Sequence, residues 1–173
     1  MAPEREAVKV AGLDFGLAPA EKAPAMSVSS QSESVEIDAP REVCAEVLLD
    51  FERYPEWSGP ITEARVLERD GDGRARRVAF ALDMRIRTVR YTLEYAYDLP
   101  ECARWHLVEG DLAAVDGRYE LEELGPGRTR ATCTQAVDLG FWVPGPIRRL
   151  IEGQALRSSV AEFKAEAERR ARS

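Results

Sequence analysis

The sequence predicts an α+β domain in which a curved antiparallel sheet of seven strands wraps a long C-terminal helix, with a short helical region after the first strand. Three observations carry that expectation. Apolar residues recur with a period of two through the middle of the chain, in segments separated by Gly-, Asp- and Pro-containing turns. After Pro146 the period becomes helical and stays so to the end. Each middle strand has one apolar and one polar face, so one side of the sheet is wet and the dry side needs cover.

Taken in order, residues 1–29 are rich in Pro, Ala, Glu, Lys and Ser and read as an N-terminal extension, a mobile arm outside the domain at 30–173. Ser34-Val35-Glu36-Ile37 alternates as a strand. Asp38 is a candidate helix cap and Pro40 suits a first turn. Val43, Val47, Leu48 and Phe51 then form one apolar stripe, and Pro55 is expected to stop the helix. Ile61 to Arg69 is a strand closed by the hairpin signal Asp70-Gly71-Asp72-Gly73. Val78, Phe80, Leu82 and Met84 share a face on the next strand. Val89, Tyr91, Leu93, Tyr95 and Tyr97 do so on the one after it.

Trp105 and Leu107 face one way, with Arg104 and His106 opposite. Gly117, Tyr119 and Leu121 share a face before the Gly125-Pro126-Gly127 turn, and Thr129 to Leu139 is the last strand. From Pro146, Ile147, Leu150, Ile151, Leu156, Val160, Phe163 and Ala167 form a drifting stripe. A helix of about 25 residues reaches about 38 Å, enough to cross a whole sheet.

A strongly curved sheet cannot press its whole concave face against one cylinder, so a gap remains unless large side chains fill it. The candidate lining is Trp57, Phe80, Leu82, Tyr91, Leu93, Tyr95, Trp105, Leu107 and Tyr119, with Gln135 and Gln154 as polar members and Gly153 as a point of close approach.

Three segments carry a family resemblance: Val35-Glu36-Ile37-Asp38-Ala39-Pro40, Asp50-Phe51-Glu52-Arg53-Tyr54-Pro55-Glu56-Trp57, and Asp116-Gly117-Arg118-Tyr119-Glu120-Leu121. From about Ser30 to Ala171 the chain resembles the START-like, helix-grip superfamily (SRPBCC). Within it the chain is similar to the polyketide cyclase/dehydrase branch, which includes coenzyme Q-binding and lipid-transport proteins. The resemblance implies a pocket between sheet and long helix for a lipid, quinone, polyketide or hormone. Cyclases of this kind steer a chain with a pocket Arg. No Arg falls on an inward strand face here, which departs from that pattern.

Composition limits the alternatives. The formal charge is −7, from 24 Lys and Arg against 31 Asp and Glu, so no cationic surplus is present to meet nucleic acid. Cys44, Cys102 and Cys133 are widely spaced and odd in number, which fits the reducing cytoplasm. No apolar run reaches the roughly 20 residues of a membrane span. With one His, His106, expected on the wet face, no two-His metal site can form, and no cofactor motif occurs. Nothing in the residues signals an oligomeric state. The one acid/base candidate is Glu109, which follows Trp105 and Leu107 at strand spacing. The expectation is therefore a binding protein and candidate carrier of a hydrophobic small molecule, with a polyketide cyclase/dehydratase-type enzyme as the alternative.

Overall fold

In the computed structural model, residues 29–85 and 87–173 are described. The extension expected over 1–29 lies outside them, apart from Ser29. The elements are β1 (Gln31–Ile37), α1 (Arg41–Leu49), a 3-10 turn (Phe51–Arg53), α2 (Tyr54–Trp57), β2 (Ile61–Arg69), β3 (Ala75–Asp83), β4 (Thr88–Asp98), β5 (Cys102–Gly110), β6 (Ala114–Gly125), β7 (Arg128–Asp138) and α3 (Gly145–Ala171). The seven strands form one antiparallel sheet in the order β1-β7-β6-β5-β4-β3-β2, and α3 lies over its inner face.

Local chemistry sets most boundaries. Asp70 organises the first hairpin, because its Oδ1 accepts from the backbone N–H groups of Asp72 (2.8 Å) and Arg74 (2.9 Å). Gly73 there has φ +82°, a conformation that costs glycine nothing. Two boundaries differ from expectation. Pro40, not Asp38, precedes the first helical residue; the Asp38 N–H instead donates to Glu168 of α3 at 3.0 Å. Pro55 does not stop α1. That helix ends at Leu49, and Pro55 instead opens the first turn of α2, where its missing N–H costs nothing.

The outer face of the sheet is polar and cross-linked by ion pairs. Arg76 meets Glu68 and Glu94, and Arg130 meets Glu36 and Glu122. His106 lies on this face, 3.8 Å from Glu94. The inner face divides into two apolar clusters. One joins α1, β1, β6 and β7 to Leu156, Val160, Phe163 and Ala167 of α3. The other gathers Phe51, Val78, Phe80, Val89, Leu93 and their neighbours, and α3 supplies none of its members.

The helix is thus packed at one end. Its buried stripe is Leu156, Val160, Phe163, Glu166 and Ala167. The stripe expected from Ile147, Leu150 and Ile151 does not pack against the sheet: these are 50%, 65% and 42% exposed, and of the three only Ile151 turns toward the space beneath the helix. Running the true register back by fours from Leu156 reaches Glu152 instead.

The sheet's two outermost strands are not alike. β1 lies beside α3, whereas β2 lies beside the 3-10 turn and α2 and pairs with β3 through three register shifts.

A cavity under the free half of the long helix

Where α3 stands off the sheet, a cavity of about 160 Å³ remains. Its walls are apolar: Leu93, Leu112, Val115, Val137, Leu139 and Leu156 line it. Leu82, Met84 and Tyr91 extend that lining from β3, the following turn and β4. Ser29, Gln31, Gln135 and Glu152 contribute the polar atoms. Gln31 and Gln135 are opposite residues of the β1–β7 pair, so their side chains leave the same face of the sheet. A larger hollow of about 400 Å³ lies elsewhere, but it is an open depression whose walls include Glu101, Glu120, Glu122 and Arg130. It offers a ligand little desolvation.

Of the residues expected to line a site, Leu82, Tyr91, Leu93 and Gln135 meet at this cavity. Phe80 lies just behind it, its ring stacked 5.5 Å from that of Tyr91. Burial pushes the Tyr91 phenol up to about 12, so it stays a neutral donor at neutral pH. Tyr95, Trp105 and Leu107 lie on the inner face as part of the second cluster. Trp57 and Tyr119 pack into the first, both around Phe163.

Trp105 has a particular neighbour. A Cβ on Gly117 would sit 2.5 Å from its indole ring, so the bare glycine on β6 is what gives the ring room. Gly153 has a similar role on α3. A Cβ there would lie 3.2 Å from Gln31 Oε1, so the missing side chain lets the Gln31 amide approach the helix.

Two expected members lie elsewhere. Gln154 is exposed, on the far side of α3 from the buried stripe. Glu109 is exposed because the β4–β5 pairing shifts register: Leu93 pairs with Leu107 but Thr92 with Glu109. The extra residue, Val108, turns Glu109 to the outer face, and strict alternation cannot foresee it. Sequence reasoning missed Gln31 and Glu152. The signal for Glu152 was present in the helix register, beside the more hydrophobic Ile151, which also lines the cavity, and hidden by the solvent-facing Ile147 and Leu150.

The Glu152 carboxylate is the least expected wall. Its Oε2 accepts from Gln31 Nε2 at 3.3 Å, and its Oε1 is buried with no hydrogen-bond partner among the described residues. Desolvation raises its pKa, a tendency Asp138 reinforces and the Arg148 charge opposes.

A family model described as "Polyketide cyclase / dehydrase and lipid transport" matches residues 37–164. The chain belongs to this family. A search of curated proteins gives no match. Among solved structures, a START superfamily protein from Mycobacterium smegmatis is similar with a TM-score of 0.76 and 24% identity, covering 81% of this chain and 97% of that one. The Zhui aromatase/cyclase from Streptomyces sp. R1128 has a TM-score of 0.69 and 22% identity, covering 83% and 95%. A protein from Thermus thermophilus has a TM-score of 0.69 and 20% identity, covering 83% and 97%. At these identities the likeness establishes the START-like fold. No helix among the described residues is long and apolar enough to cross a membrane.

Proposed function

We propose that this chain binds a small hydrophobic molecule between the sheet and the N-terminal half of α3, and carries it in the cytoplasm. The observation that supports this is the apolar cavity itself, held open where α3 leaves the sheet. Its volume of about 160 Å³ decides between ligand sizes. A dry apolar cavity of roughly 150 Å³ takes a benzene-sized guest, whereas drug-sized ligands occupy roughly 300–1,000 Å³. In this form the site fits a ring or a short chain. A longer lipid, quinone or polyketide requires the free half of the helix to move outward. The three unpaired cysteines support the reducing compartment.

Native mass spectrometry after gentle purification, with solvent extraction of the protein, tests the reading. A bound apolar compound is expected, or, for empty protein, saturable binding of small aromatics followed by amide chemical shifts in β4, β7 and α3. Empty protein that binds no member of a diverse hydrophobic panel would overturn it.

The family description and the likeness to an aromatase/cyclase favour a second reading, an enzyme acting on a bound polyketide chain. Tyr91, which lines the cavity, is then the candidate donor to a substrate carbonyl. Unchanged turnover of a polyketide substrate in Tyr91→Phe removes that mechanism.

A further inference from the structure

We propose that the end of the molecule where α3 leaves the sheet is a docking face for an anionic lipid bilayer. This goes beyond the binding reading above and does not depend on what fills the cavity.

Large apolar side chains exposed together mark a contact surface, whereas scattered ones need no explanation. Among the described residues, Trp142, Ile147, Leu150 and Ile151 are 83%, 50%, 65% and 42% exposed, and only Leu67 and Val108 join them as exposed large hydrophobics. Ile147, Leu150 and Ile151 are spaced i, i+3 and i+4, so they share one surface of α3. Trp142 precedes them on the link from β7. Indole rings favour the headgroup level of a bilayer, where one edge is apolar and the other wet.

Cations surround this patch without acidic partners. Arg148 and Arg149 sit between Ile147 and Leu150, and Arg85 and Arg87 follow β3. The Arg87 guanidinium lies over the Phe141 ring at 5.5 Å, which places that turn beside the link to α3. Among the described residues none of these four arginines makes an ion pair, whereas most arginines of the sheet do. The carboxylates of the same segments are committed elsewhere. Asp83 accepts from the Arg85 N–H at 2.7 Å, Asp138 from the Gly140 N–H at 3.0 Å, and Glu152 from Gln31. The first turn of α3 contains no acidic residue, so its free N–H groups add potential of the same sign as the arginines.

The charge pattern chooses the occupant. The whole chain carries −7, so a negative surface repels most of it and attracts this end. A second copy docked through the same patch would bring these arginines against their own equivalents, which disfavours a symmetric dimer here. The cavity adds a reason for a bilayer: Ile151 belongs both to its lining and to the patch, so the two are continuous.

The test is sedimentation of the full chain with vesicles of phosphatidylcholine alone or with about 30% phosphatidylglycerol, at about 50 mM and about 500 mM salt. Binding is expected on the anionic vesicles at low salt, and should weaken on neutral vesicles and at high salt. Tryptophan emission should shift to the blue on binding, and Trp142→Phe should remove the shift. Arg85→Glu with Arg149→Glu should weaken binding by about tenfold or more. Arg65→Glu with Arg172→Glu, the same charge change at exposed sites outside the patch, should not. Circular dichroism checks that each variant folds. Absence of binding to anionic vesicles would overturn the proposal, as would equal binding to neutral ones or an equal loss in the control pair. A blue shift that survives Trp142→Phe would move the contact to another face. Absence of vesicle binding, with dimerisation that Trp142→Ser abolishes, would give the patch to a second copy. Each of these failures leaves the binding reading standing, because no cavity ligand enters the experiment.

Discussion

The indole of Trp105 and the bare Cα of Gly117 form a matched pair on neighbouring strands. Gly117→Ala forces a methyl into a ring whose other sides are packed against both apolar clusters. We expect a loss of about 1–3 kcal/mol in urea denaturation, the usual range for overpacking. In a Trp105→Leu background the same change should cost little, and a double-mutant cycle with no coupling would show that the two do not meet in solution. A second residue with a defined consequence is Glu166. It is 7% exposed, and its hydrogen bonds from Arg169 and Arg170 hold its carboxyl at about 2, against the ordinary 4.5. A lowered folded-state value means stability that is present above the unfolded value and lost as pH falls through the folded one. Glu166→Gln should therefore cost about 1–3 kcal/mol at pH 7, and its deficit against wild type should narrow steadily between pH 4.5 and pH 2. A deficit independent of pH would assign the effect to packing. At this scale the inward facing of Trp105 and Leu107 was legible, because alternation holds as far as Leu107. Glu109 was not, because one extra residue reverses every side chain beyond it.

Among the elements, α3 carries the largest departure from the sequence expectation. Its length was legible from Pro146 to the chain end, and the C-terminal part of its stripe was too. Its N-terminal stripe was misread in part, because hydrophobicity pointed to Ile147 and Leu150 as well as Ile151, while the geometry brings Ile151 and Glu152 to the cavity. The two halves of this helix are anchored very differently. The C-terminal half has its buried stripe, and Lys164 Nζ donates to the Glu36 carbonyl at 2.7 Å while Arg170 reaches Asp50 at 2.9 Å. The N-terminal half has the Gln31–Glu152 bond and the rim of the cavity. Segments with few buried contacts open at lower free energy. Amide hydrogen exchange should therefore be at least 100-fold faster at 150–154 than at 160–167, and a bound guest should slow the first group selectively. Uniform protection along the helix would show that it is held as one body, and would close the route by which a larger ligand enters. Arg170→Ala, by contrast, should weaken the protected half, costing about 1–3 kcal/mol as Asp50 and Glu166 lose their shared partner.

For the whole molecule, the seven-stranded sheet and its wet outer face were legible because the middle strands alternate over most of their length and turn residues separate them. The cavity's position was not, since it depends on where one helix lifts away from the sheet, a distance no single residue encodes. The same architecture has a consequence for association between copies. An open sheet ends in two strands with unpaired N–H and C=O groups, which invite a neighbouring chain to add a strand. Here β1 lies beside α3, while β2 pairs with β3 through register shifts and lies beside the Phe51–Trp57 segment. A bulged, half-covered ribbon is a poor template for a straight one. Loosening that segment, as Phe51→Ala would by emptying a core position, should therefore yield aggregates before it yields dispersed unfolded chains, with light scattering rising ahead of the loss of circular dichroism. What stands beside that free edge is a seven-residue clasp rather than another strand.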